Sequence, residues 1–126
     1  MIGYVTLGTN DLPRAAAFYD ALLAELGARR FMEEDSFIAW ATSPDKPGIG
    51  LTRPFDGKPA TVGNGVMVAL EADSPATVDR IYNKAIELGA TDEGPAGPRA
   101  ALEGFYAGYF RDLDGNKLNV FCFVRG

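Results

Sequence analysis

The chain contains no histidine. Imidazole is the commonest general acid-base and the commonest metal ligand, so every mechanism that needs one from this chain is excluded. The single cysteine, Cys122, stands in the apolar run Leu118 to Phe123. That placement suits a packed apolar side chain. A lone cysteine forms no disulfide within the chain, which fits a reducing, cytoplasmic setting. Two arginines stand out among the remaining groups. Arg99 lies in the segment Thr91 to Gly104, which contains Gly-Pro twice. That composition predicts a long loop, a lid or binding loop from which Arg99 could pair with an anionic ligand. Arg53 follows the strand signal Ile49 to Thr52 and could act in the same way. For both, the alternative is a solvated surface arginine. Asp112 and Asp114 flank a turn and serve it, not catalysis.

These groups must be held by 126 residues, the length of one compact domain. The chain is 47% hydrophobic and 23% charged, so it has the means to bury a core. No run approaches the ~20 apolar residues of a membrane span. The opening Met1-Ile2-Gly3-Tyr4 carries no basic stretch, so no signal peptide is expected. The formal net charge is −5, and lysine and arginine never cluster. That argues against nucleic acid as a partner. An acidic surface serves solubility, or mildly favours a cationic ligand.

The strongest pattern is an internal repeat. Gly3 to Leu7 has the character of a strand. Asn10-Asp11-Leu12-Pro13 then supplies an Asx cap and an early proline. Apolar residues at Leu12, Ala15, Ala16, Tyr19, Leu22, Leu23 and Leu26 form one helical stripe, which Gly27 ends. The same design returns with the strand Gly65 to Leu70 and the start Asp73-Ser74-Pro75. Its stripe is Val78, Ile81, Tyr82, Ala85 and Leu88, and Gly89 ends it. Leu26-Gly27-Ala28 and Leu88-Gly89-Ala90 are the same tripeptide. The strands align best one residue further on, which pairs Tyr4 with Met67.

Strand signals follow each helix: Phe37 to Ala41 and Ile49 to Thr52, then Phe105 to Phe110 and Lys117 to Phe123. The turns between them contain Ser43 to Gly48 and Asp114-Gly115. Each half therefore has the order β-α-β-β with room for a further strand. Module one covers about residues 1–54, a connector 55–63 and module two 64–126. The expected fold is α+β: two βαβββ modules forming an open, cup-like mixed sheet of about eight strands with the helices outside. A ferredoxin-like sandwich shares the split β-α-β logic and is the alternative.

The opening strand with Asn10 to Tyr19, and the later stretch Phe110-Arg111-Asp112-Leu113-Asp114-Gly115-Asn116-Lys117-Leu118, resemble the vicinal oxygen chelate superfamily. That superfamily includes glyoxalase I, extradiol dioxygenases, and the fosfomycin- and bleomycin-resistance proteins. In its metal-dependent members, the first and last strands of each module give one ligand each, usually His and Glu. The resemblance places those positions here at Tyr4, Gly50, Met67 and Asn119. A phenol, a hydrogen, a thioether and a carboxamide are poor donors for a divalent metal. No metal and no cofactor are therefore expected, although Glu33, Glu34, Glu71 or Glu103 could form a relocated oxygen site or simply face water.

If the family geometry holds, the cup is lined by Tyr4, Thr6, Thr52, Met67, Asn119 and Phe121, with Arg99 as a cap. Met67 and the phenylalanines could instead fill the core, and Tyr4 and Asn119 could make ordinary buried hydrogen bonds. The first functional expectation is a metal-free protein that binds a small organic molecule, in the manner of bleomycin-resistance proteins, as a homodimer. The second is a metal-independent isomerase or lyase with Tyr4 as the proton-transfer group. The third is a lactoylglutathione-lyase-type enzyme, which the donor set disfavours.

Overall fold

Two helix starts organise the chain. At the first, the Asp11 carboxylate accepts a hydrogen bond from the Arg14 backbone N–H, with a proline in the opening turn. At the second, the Ser74 hydroxyl accepts from the Thr77 N–H, again with a proline beside it. Each cap satisfies a backbone donor that the helix itself leaves unpaired. At the other ends Gly27 and Gly89 take φ of +77° and +105°, the left-handed region that glycine enters without steric cost.

The computed structural model describes residues 1–124. The first half contains β1 (Tyr4–Gly8), α1 (Leu12–Ala24), β2 (Arg29–Glu33), β3 (Phe37–Ala41) and β4 (Gly48–Thr52). The second contains β5 (Val68–Glu71), α2 (Pro75–Glu87), β6 (Thr91–Pro98), β7 (Phe105–Arg111) and β8 (Lys117–Phe123). The fold is α+β with two βαβββ modules. The strands form two four-stranded mixed sheets, ordered β1-β4-β3-β2 and β5-β8-β7-β6. In each, the first strand runs parallel to the last, and the other pairs are antiparallel. The chain divides into two compact units, Met1–Val62 and a second that starts at Gly63.

Unit one packs α1 against β2, β3 and β4. Leu12, Ala15, Ala16, Phe18, Tyr19, Leu22 and Leu23 are buried on the helix, and Ile38, Trp40, Ile49 and Leu51 on the sheet. The Trp40 indole N–H donates to Asp20 Oδ1 at 2.8 Å, which ties β3 to α1. Arg30 clasps the same carboxylate at 2.9 and 2.7 Å and lies over the Trp40 ring. This bidentate pairing holds the Asp20 carboxyl below its ordinary value.

Unit two packs α2 against β6, β7 and β8. Val78, Ile81, Tyr82 and Ala85 meet Phe110, Leu118, Val120 and Cys122, all buried. Two phenols lock the helix down: Tyr106 donates to Asp79 and Tyr82 donates to Asp92, each at 2.6 Å.

Two strands and one boundary differ from the sequence expectation. Thr91 to Pro98 is strand β6, not a loop, so the loop that carries Arg99 is much shorter than expected. Its glycines and prolines are tolerated because β6 is a sheet edge with two register irregularities, where Gly94 adopts φ +146°. Strand β2 is an exposed, charged edge with its own irregularity between Arg30 and Met32. Met67 precedes β5, because a turn at Asn64 and Gly65, with φ +100° at Gly65, delays the ladder to Val68.

Candidate functional site

Side chains alternate across each sheet, so one face of β8 meets the helix and the other does not. Leu118, Val120 and Cys122 take the helix side. Lys117, Asn119, Phe121 and Phe123 take the opposite face. Cross-strand register brings their β7 partners to that same face: Asn119 opposes Tyr109, Phe121 opposes Ala107, and Phe123 opposes Phe105.

Asn119 is the unusual member of this row. It is only 2% exposed, yet its Oδ1 has no hydrogen-bond partner among the described residues. A buried acceptor left unmet costs about 1–3 kcal/mol. Its neighbours define two different ends. On one side, Tyr109 has two cations against its ring, with Arg99 at 5.4 Å and Lys117 at 5.6 Å. Arg99 is half-buried and also donates to the Pro95 carbonyl at 2.6 Å, which ties its guanidinium to the β6 strand. On the other side, Phe105, Phe121 and Phe123 form an aromatic cluster with ring centroids 5.2–6.0 Å apart.

The equivalent face of unit one is different. Register sets Thr6 beside Gly50, as it sets Ala69 beside Asn119 in unit two. Gly50 is covered by an aromatic ring: a Cβ there would lie 2.7 Å from Phe37 Cε2. Tyr4, exposed, meets the same ring edge-on at 6.3 Å. Thr6 is exposed, and the Thr52 hydroxyl donates to the Arg53 carbonyl at 2.8 Å. Met67 and Tyr4 stand at the same sequence distance from their helix caps, and Met67 is exposed. Thus Tyr4, Thr6, Gly50 and Thr52 belong to unit one, and Met67, Arg99, Asn119 and Phe121 to unit two.

These residues do not suit a divalent metal. Gly50 offers no donor, and Phe37 fills the space where a side chain would reach. Among the described residues no three or more His, Cys, Asp or Glu side chains group so as to hold a metal. The other reactive groups are also held back. Burial pushes the Cys122 thiol up. Burial and the Asp92 carboxylate push the Tyr82 phenol to about 12, and the hydrogen bond to Asp79 raises Tyr106.

Sequence reasoning missed Phe37, Tyr109, Lys117 and Phe105 as neighbours of these positions. Counting back across the Asp114-Gly115 turn would have found Tyr109 opposite Asn119. Nothing local to Gly50 signals the ring above it. Arg53, weighed as a second anion contact, is exposed at the start of the loop after β4.

Residues 1–120 match the family model of the Glyoxalase/Bleomycin resistance protein/Dioxygenase superfamily, and the chain belongs to that superfamily. It is similar to the crystal structure of a glyoxalase/bleomycin resistance protein from Albidiferax ferrireducens T118, at 38% identity and TM-score 0.87 over 96% of this chain and 97% of that one. A family enzyme from Burkholderia phytofirmans PsJN shares the fold at 18% identity and TM-score 0.76, covering 97% and 98% of the two chains. The fosfomycin resistance protein FosX from Mesorhizobium loti does so at 18% identity and TM-score 0.71, covering 98% and 92%. No curated protein matches. No helix among the described residues is long and apolar enough to cross a membrane.

Proposed function

We propose that this chain binds a small organic molecule, without a metal, on the helix-free face of the unit-two sheet. The carrying observation is the Asn119 carboxamide, whose buried Oδ1 lacks a donor among the described residues. A ligand N–H or O–H would meet it and remove the desolvation cost. The aromatic trio offers apolar surface to the body of the ligand, and Arg99 and Lys117 favour an anionic substituent at the Tyr109 end. An apolar surface with a few placed polar groups is the usual make-up of a small-molecule site. The metal-free part of the reading rests on the donor chemistry of Tyr4, Gly50, Met67 and Asn119.

Native mass spectrometry of the purified protein against a metabolite extract tests this. Wild-type protein should retain a small molecule that Asn119→Leu and Arg99→Ala lose or hold more weakly. Elemental analysis should find no stoichiometric zinc, nickel, iron or manganese. Equal retention by both variants, or a full equivalent of metal, would sink the reading. The family resemblance also implies a homodimer, which light scattering checks directly. For the alternative of catalysis by Tyr4, no hydrogen bond or ion pair to its hydroxyl supports that reading among the described residues.

A further inference from the structure

A second concave surface lies in unit one, at the end of β1 away from Tyr4. There the chain runs through Thr9 and Asn10 beside the loop that follows β4. The depression has a volume of about 290 Å³ and is lined by Thr9, Asn10, Arg53, Lys58 and the prolines around them. That size sits at the lower edge of the ~300–1,000 Å³ typical of small-molecule sites.

Its polar groups are almost all donors. Thr9 is 1% exposed. Its Oγ1 accepts from the Asp11 N–H at 3.0 Å, and its own hydroxyl proton has no acceptor among the described residues. The one side-chain amide oxygen, Asn10 Oδ1, is taken by the Ala60 N–H at 2.7 Å. Neither the Arg53 guanidinium nor the Lys58 ammonium meets a carboxylate among the described residues. This contrasts with Arg14, Arg30, Lys84 and Arg111, which all do. The nearby carboxylates do not line the depression: Asp56 accepts the Lys58 backbone N–H, and Asp11 caps α1 and pairs with Arg14. The depression therefore gathers two cations and a buried hydroxyl, and no carboxylate is among its lining residues.

From this we infer a binding site for a small oxyanion, a phosphate or phosphate monoester, held by Arg53, Lys58 and the Thr9 hydroxyl. A dianion is favoured over a carboxylate because two positive charges line the space and no carboxylate side chain does. Arg53 can engage two oxygens at once and Lys58 acts as a point charge. The inference rests on residues of unit one alone and does not depend on the ligand proposed for unit two.

The test is a titration of the full chain with inorganic phosphate, followed by amide chemical shifts at constant ionic strength. Acetate and sodium chloride serve as comparators. Saturable shifts confined to the amides of Thr9, Asn10, Arg53, Gly57, Lys58 and their non-proline neighbours are expected, with acetate weaker than phosphate. Arg53→Gln and Lys58→Gln should each weaken binding by about fivefold, given the exposure of both side chains. Lys46→Gln, on the turn between β3 and β4, should leave it unchanged. The proposal fails if chloride reproduces the shifts. It also fails if acetate binds as well as phosphate, or if both glutamine variants keep wild-type affinity.

Discussion

The last strands of the two modules occupy the same place in their sheets but are equipped differently. Strand β4 is Gly-Ile-Gly-Leu-Thr, and its register partner for Thr6 is a glycine roofed by Phe37. Strand β8 carries Asn119 at the matching register, buried and with an acceptor unmet. One position has been closed by packing; the other keeps a polar group that packing alone does not justify. Two copies of one module can thus differ at the same register position. In unit one the space is filled, and in unit two the polarity is kept.

The largest expected effects concern what the modules have in common. Trp40→Ala and Phe110→Ala each empty a fully buried site and should each cost about 3–5 kcal/mol in chemical denaturation. A loss under about 1 kcal/mol in either would show that its module core is not packed as described. Next comes the contrast itself. Gly50→Ala should destabilise by about 1–3 kcal/mol through its clash with Phe37 and the roof it forms. In the double variant with Phe37→Ala, the clash should disappear, so the two costs should not add. Additive costs would remove Phe37 as the cause.

At the matching position, Asn119→Leu should have the opposite sign. It should raise stability by about 1 kcal/mol, because an unmet buried acceptor is removed, while ligand retention falls. A loss of stability would mean the carboxamide is satisfied in the native protein. The smallest effect is a pH dependence. The Tyr82 phenol is raised from an ordinary value of 10.0 to about 12, so folding favours its protonated form. The stability it contributes is complete below pH 10 and is lost as pH rises through about 12. Tyr82→Phe should flatten that alkaline limb in a pH series of denaturation midpoints, and an unchanged limb would assign it to other groups.

Much of this architecture was legible in the chain. Both helices were, because caps, prolines, stripes and terminal glycines all agree. The strands at Phe37 to Ala41 and Lys117 to Phe123 were legible for the same reason of consistency. Strand β6 was not, because its Gly-Pro content signals a loop and only its ladder with β7 makes it a strand. The repeat pairs Tyr4 with Met67, but the meaning of Tyr4, Gly50, Met67 and Asn119 as metal-ligand positions came from family resemblance. What occupies the space above Gly50, and what Asn119 lacks, depend on contacts between strands, which no local pattern encodes. Arg99 was noticed for its loop, yet its partners Pro95 and Tyr109 come from β6 and β7.

The parallel pairing of each module's first strand with its last has a consequence for synthesis. As the chain emerges, β1 has no partner until β4, the final strand of its own module, has been made. Tyr4 must wait for Gly48, with a helix and two strands in between. Strand β5 likewise waits for β8. Each module therefore locks as a unit only when its last strand arrives, and the first can complete its sheet while the second is still unmade.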